Sequence, residues 1–159
     1  MKTAVFAGSF CPITTGHLDI IKRAAALCDT LVIGVTQNVN KTVLISTDKK
    51  VNMIKKAVCA CGLKNVQVKP FDGLLADFCK KESADFIIKS VRNTADFFYE
   101  KDMAIINRKN FGLETFLMFA APEYEYISSS AVREMLSYGA SIDGFVPECV
   151  KDEITEALK

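Results

Sequence analysis

Apolar positions recur along this chain in two alternating rhythms. Short β-branched or aromatic runs stand at Thr3–Ala7, Leu31–Val35, Val66–Lys69, Phe86–Lys89 and Thr115–Phe119, with the length and residue types of buried strands. Stretches with helical spacing lie between them. The first begins near Gly16 and sets Leu18, Ile21, Ala25 and Cys28 on one stripe. The second opens at Ser46 or Thr47, both suited to N-caps, and runs through Val51, Ile54, Val58 and Cys61 to Gly62, suited to the residue after a helix. A third covers about Gly73–Lys81 and a fourth about Thr94–Lys109. Two more close the chain, one from Ser128-Ser129-Ser130 to Gly139, the other from behind Pro147 to Leu158.

Strands that alternate with helices, joined by connections too long for hairpins, predict βαβ units. The expected fold is α/β: one doubly wound, Rossmann-like domain over residues 1–159, with a five-stranded parallel sheet and helices on both faces. Such sheets bind ligands beyond the carboxyl ends of their strands, where the strand order reverses. The loops after Ala7, Thr36, Lys69, Lys89 and Phe119 are therefore the places to look for chemistry.

Composition narrows the chemistry. Half of the 159 residues are hydrophobic and a quarter are charged, a globular balance. A net charge of +1 argues against a general nucleic-acid coat. No run approaches the roughly 18–20 apolar residues of a membrane span, and the N-terminus lacks a signal-peptide pattern, so the cytosol is the expected compartment. Six cysteines fit that setting as free thiols. Cys59 and Cys61 would point roughly 200° apart on a helix, there is no CxxC, and His17 is the only histidine; no protein-held metal is expected.

The loop after the first strand reads Gly8-Ser9-Phe10-Cys11-Pro12-Ile13-Thr14-Thr15-Gly16-His17. It is neither a GxGxxG fingerprint nor a GxxxxGK phosphate loop. Gly8 still permits close backbone approach, Ser9 offers a hydroxyl, and Gly16-His17 opens a helix whose free N–H groups favour an anion. A histidine beside a glycine at that place reads as functional rather than structural.

Gly-Ser-Phe-x-Pro-x-x-x-Gly-His resembles the signature of the (H/T)xGH nucleotidyltransferases, and within them the chain is most similar to the bacterial phosphopantetheine adenylyltransferases. The likeness extends over Lys41, Phe71-Asp72-Gly73-Leu74-Leu75, the segment from Val91-Arg92-Asn93 through Tyr99-Glu100, Asn107-Arg108, Ile127-Ser128-Ser129-Ser130 and Val132-Arg133-Glu134. It implies transfer of AMP from ATP to 4′-phosphopantetheine, giving dephospho-coenzyme A and pyrophosphate. The attacking phosphate is already anionic, so the task is to align two polyanions and stabilise charge rather than to remove a proton.

The resemblance also implies roles. His17, Lys41 and Arg92 are the expected catalytic residues, with His17 donating to the α-phosphate and Lys41 screening the two reacting phosphates. Ser9, Phe10, His17, Lys89, Arg92, Glu100, Ser128, Ser129 and Ser130 are expected around ATP. Ser9, Lys41, Leu74, Leu75, Lys89 and Asn107 are expected around the acceptor. By its residue type alone Lys41 is an exposed loop lysine, and the serine run is a helix cap; capping and phosphate binding use the same groups. Mg²⁺ is expected to arrive with ATP, and feedback by coenzyme A and a homohexamer follow from the resemblance only.

Two positions depart from the family pattern. Cys11 stands where an Asp is usual, which removes a carboxylate; it reads either as a tolerated turn residue or as a thiol activated by the helix dipole and bound cations. Lys89-Ser90 replaces Arg-Gly, keeping a charge but losing the bidentate fork. The alternatives are a sister enzyme, a cytidylyltransferase or a nicotinamide-mononucleotide adenylyltransferase, and a non-catalytic nucleotide-binding protein.

Overall fold

The computed structural model of the chain describes residues 1–36 and 44–158. Five strands, β1 (Thr3–Gly8), β2 (Thr30–Thr36), β3 (Val66–Phe71), β4 (Phe86–Val91) and β5 (Glu114–Phe119), form one sheet in the order β3-β2-β1-β4-β5. Every pairing is parallel. The expected five-stranded doubly wound sheet is present, and its order reverses between β1 and β4.

Strand side chains alternate between two cores, which is why the strands read as continuous apolar runs. Ala4, Phe6, Leu31, Ile33 and Ile88 face one layer with Ile20, Ile21, Ile54, Val132 and Ile154. These come from the helices α1 (Thr15–Ala25), α2 (Thr47–Ala60), α5 (Ser129–Ser137) and α6 (Lys151–Ala157). Val5, Ala7, Val32 and Ile87 face the other layer with Phe78 of α3 (Leu75–Lys81) and Leu113, which follows α4 (Thr94–Phe111). Gly34 makes the second layer fit: a Cβ there would lie 2.7 Å from Phe78 Cε1. Phe71 and Phe78 use that space to stack, with ring centroids 4.4 Å apart.

Helix limits differ from the sequence reading in three places. α1 stops at Ala25, so Cys28 is not on its stripe; Cys28 sits half-buried in the following turn. The buried face is Ile20, Ile21, Ala24 and Ala25. The Ala-rich run favours continuing the helix, but Asp29 and Thr30 donate to the Lys2 carbonyl and draw the chain into β2. α3 begins at Leu75 rather than Gly73, which is left-handed at φ +76°. Pro147 precedes a 3-10 turn, Glu148–Val150, and α6 starts only at Lys151. Other boundaries follow their caps: Ser46 accepts from the Lys49 N–H, and Gly112, left-handed at φ +68°, ends α4.

Candidate active site

A cleft opens where the strand order reverses, above the carboxyl ends of β1 and β4. Gly8, Phe10, Thr14, Gly16 and His17 line it from the first loop, Lys89 and Arg92 from the end of β4 and its exit. Asp96 and Glu100 of α4 and Ser128, Ser129 and Ser130 at the start of α5 complete it. Parallel strands deliver all of these to one end of the sheet.

Thr14 is the N-cap of α1. Its Oγ1 accepts from the His17 N–H at 3.2 Å, while the Thr14 N–H donates back to His17 Nδ1 at 3.1 Å. A backbone N–H can only donate, so Nδ1 carries the lone pair and the ring proton belongs to Nε2. Burial lowers the imidazole pKa to about 4, and the Arg92 charge adds to the effect. His17 is therefore a neutral donor at pH 7. Phe10 supports it, its ring meeting the imidazole edge-on at 5.0 Å and Phe6 at 5.6 Å. Phe10 itself takes φ +43°, a left-handed backbone held by burial of its side chain.

Among the described residues, the two cations that line the cleft are paired. Arg92 grips Asp96 with Nε at 2.9 Å from Oδ2 and Nη2 at 3.3 Å from Oδ1, and its backbone N–H reaches Oδ2 at 3.2 Å. Burial by itself would raise the Asp96 pKa; the hydrogen bonds and charge of Arg92 overcome it and hold the carboxyl below its usual range. Lys89 Nζ lies 3.4 Å from the Glu100 carboxylate. Glu100 Oε2 is buried and accepts no hydrogen bond, its charge met only by the Lys89 ammonium 3.4 Å away.

The serine run is both cap and wall. Ser128 Oγ accepts from the Ala131 N–H at 3.0 Å, Ser129 Oγ donates to the Pro12 carbonyl at 2.7 Å, and Ser130 Oγ accepts from Arg133 Nη2 at 3.2 Å. Arg133 Nη1 also donates to the Cys11 carbonyl at 2.6 Å. Ser129 and Arg133 thus dock α5 onto the first loop. With the Ala131 N–H taken by the Ser128 cap, the Ser129 and Ser130 N–H groups, which helix geometry leaves without internal partners, remain for an anion.

The fold matches that of nucleotidyltransferases of solved structure. A bifunctional NMN adenylyltransferase/ADP ribose pyrophosphatase from Francisella tularensis superposes with a TM-score of 0.73 at 16% identity, over 98% of this chain and 49% of that one. The cytidylyltransferase-like family model matches residues 5–135. A phosphopantetheine adenylyltransferase of Clostridium perfringens is 44% identical over 99% of this chain and 96% of its own. Those of Bifidobacterium longum and Caldanaerobacter subterraneus are 42% and 41% identical at similar coverage. The chain belongs to the phosphopantetheine adenylyltransferase family. It is a nucleotidyltransferase, and the sister enzymes are the weaker reading.

For a phosphopantetheine adenylyltransferase, the described cleft gathers Phe10, His17, Lys89, Arg92, Glu100 and the three serines as expected from sequence. Ser9 is exposed beside it, between the lining residues Gly8 and Phe10. Leu74, exposed before α3, Leu75, packed on the second core, and Asn107, buried in α4, lie outside its lining. Lys41 falls outside the described residues. Cys11 is half-buried against the first core and does not line the cleft. Sequence reasoning missed Asp96, whose spacing of four residues from Arg92 on a helix start was the available signal. It also missed the buried Lys50. Among the described residues no group of three His, Cys, Asp or Glu is placed to hold a metal, and no helix is long and apolar enough to cross a membrane.

Proposed function

We propose that the chain adenylylates 4′-phosphopantetheine. A phosphate oxygen of the acceptor attacks the α-phosphorus of ATP, the bond to the β-phosphate oxygen breaks, and pyrophosphate leaves with dephospho-coenzyme A as the other product. The full-length identity to phosphopantetheine adenylyltransferases carries the reading, and the neutral, Nε2-protonated His17 gives it a mechanism. That N–H donates to an α-phosphate oxygen as charge develops there. A cationic histidine would bind ground-state phosphates strongly; a neutral donor is suited to charge that develops in the transition state instead. ATP enters as its Mg²⁺ complex, the metal travelling with the substrate.

Arg92 and Lys89 bind phosphate by exchanging a carboxylate for it, and the first turn of α5 holds the β- and γ-phosphates. Lys41 and Ser9 serve the acceptor phosphate, while Leu74, Leu75 and Asn107 line the pantetheine arm. Coenzyme A, which shares that arm, feeds back at the same site. Six free thiols suit a reducing cytoplasm. A homohexamer is supported by the exposed apolar residues of α4 and the edge strand β5, among them Phe98, Ile105, Ile106, Phe116 and Phe119. Pyrophosphate release measured with ATP and CTP against 4′-phosphopantetheine, nicotinamide mononucleotide and phosphorylated alcohols tests the assignment. Turnover restricted to ATP with 4′-phosphopantetheine is expected; preference for another pair refutes it.

A further inference from the structure

Lys50 is one of three polar residues buried in the described chain, at 7% exposure. It sits in the first turn of α2, and its ammonium donates to the Thr36 carbonyl at 3.1 Å. Thr36 ends β2, and its hydroxyl donates in turn to the Gly8 carbonyl at 3.3 Å. Gly8 ends β1 and opens the loop that carries Phe10, Thr14 and His17.

This chain of bonds lies at the end of the β1–β2 ladder, whose last pair is Gly8 and Val35, while Thr36 still pairs with Phe71 of β3. The Gly8 and Thr36 carbonyls there take side-chain donors. Burying a lysine costs several kcal/mol of hydration unless its protons are used, and a surface helix has no need to turn a charge inward to fill a core. Neighbouring positions of α2 use Val51, Met53 and Ile54 for that purpose. A charged donor makes a stronger bond to a carbonyl than a neutral one. Burial pulls the Lys50 pKa down, and the link from its ammonium to the loop runs through Thr36 to Gly8.

We propose that Lys50 is a positioning residue for adenylyl transfer, fixing through Thr36 and Gly8 the loop that aims His17 at the reacting phosphate. The proposal rests on the function above. It touches no substrate; its effect belongs in the chemical step, where a small displacement of a donor is costly, rather than in ATP binding.

The test compares Lys50→Met, Lys50→Arg and Thr36→Val in the full chain. Steady-state pyrophosphate release is measured with ATP and 4′-phosphopantetheine each varied, beside the Tm and amide hydrogen exchange of residues 8–17. Lys50→Met is expected to lower kcat roughly ten-fold with KM for ATP changed less than about two-fold, and to speed exchange in the loop. Lys50→Arg restores most of the rate. Thr36→Val, which keeps shape but cuts the second bond, reproduces the kcat loss and is the deciding variant if Lys50→Met does not fold. A folded Lys50→Met or Thr36→Val with wild-type kcat and unchanged loop exchange overturns the proposal, even if its Tm falls. If the unaltered chain turns over no acceptor, the functional reading has failed, and loop exchange alone decides for or against the positioning role.

Discussion

The backbone N–H of Thr14 points at Nδ1 of His17 from 3.1 Å, three residues away on the same helix start. That single bond sets which imidazole nitrogen faces the cleft with a proton. Ordinarily a glutamate or glutamine reaches back to the cap residue in this way; here the cleft histidine does so, and the same ring that completes the helix cap carries the proposed donor to phosphate.

Because His17 is the only histidine, its ring signals in proton NMR need no assignment. They are expected to stay constant from pH 8 to about 5 and to titrate near pH 4. Arg92→Ala should move the midpoint upward, since Arg92 adds to the lowering, while burial keeps it below 6.5. A midpoint at 6.5 in the unaltered protein would remove the neutral-donor mechanism.

The same shift sets a sign for stability. The unfolded state takes up the His17 proton near pH 6.5 and the folded state only near 4, so the unfolded state binds more protons in between. Stability is therefore lost as pH falls from 6.5 towards 4, by up to about 3 kcal/mol at ~1.4 kcal/mol per unit. Urea unfolding at pH 7 and 4.5 measures it. His17→Gln should flatten this part of the profile.

His17→Ala is expected to reduce kcat by about 10²–10³, the scale for losing a donor to developing charge. KM for ATP should move little. Lys41→Ala should instead act on the phosphorylated acceptor, raising its KM and lowering kcat. Full kinetics on both substrates separates the two, and an unchanged Lys41→Ala would return that lysine to the surface.

Gly34→Ala tests the packing beneath the sheet. The new methyl would meet Phe78 at 2.7 Å and Phe71 at 3.0 Å, and both rings belong to a stacked pair within the second core. A loss of about 1–3 kcal/mol is expected for such overpacking, seen as a fall in Tm of several degrees with kcat retained, since Gly34 does not line the cleft and its Cα faces the second core.

Ile106 is 44% exposed on α4, next to Ile105 at 57%. In a homohexamer using this face, Ile106→Glu would bury an unpaired charge and shift sedimentation to smaller species. A chain that is monomeric before the substitution would overturn the assembly.

What the sequence determined by itself is the order of elements and the reaction class. Strand runs in two-sided burial and helices with one-sided stripes are local patterns, and the Gly8–His17, Arg92–Glu100 and Ser128–Ser130 segments keep their meaning wherever the fold puts them. The end of α1 was not legible, because β2 pairing with Lys2 is a contact across the chain that an Ala-rich run does not announce. Nor was the state of the cleft. Arg92 and Lys89 are each held by a carboxylate of α4, and only packing brings those groups together. Lys50 makes the same point. In sequence it is the second of two adjacent lysines on a polar helix start; the helix phase turns Lys49 outward and Lys50 inward, onto strand ends that need a donor. Residue types and spacing fix what chemistry is possible, whereas the partner, tautomer and exposure of each group depend on neighbours distant in sequence, and those the tertiary structure decides.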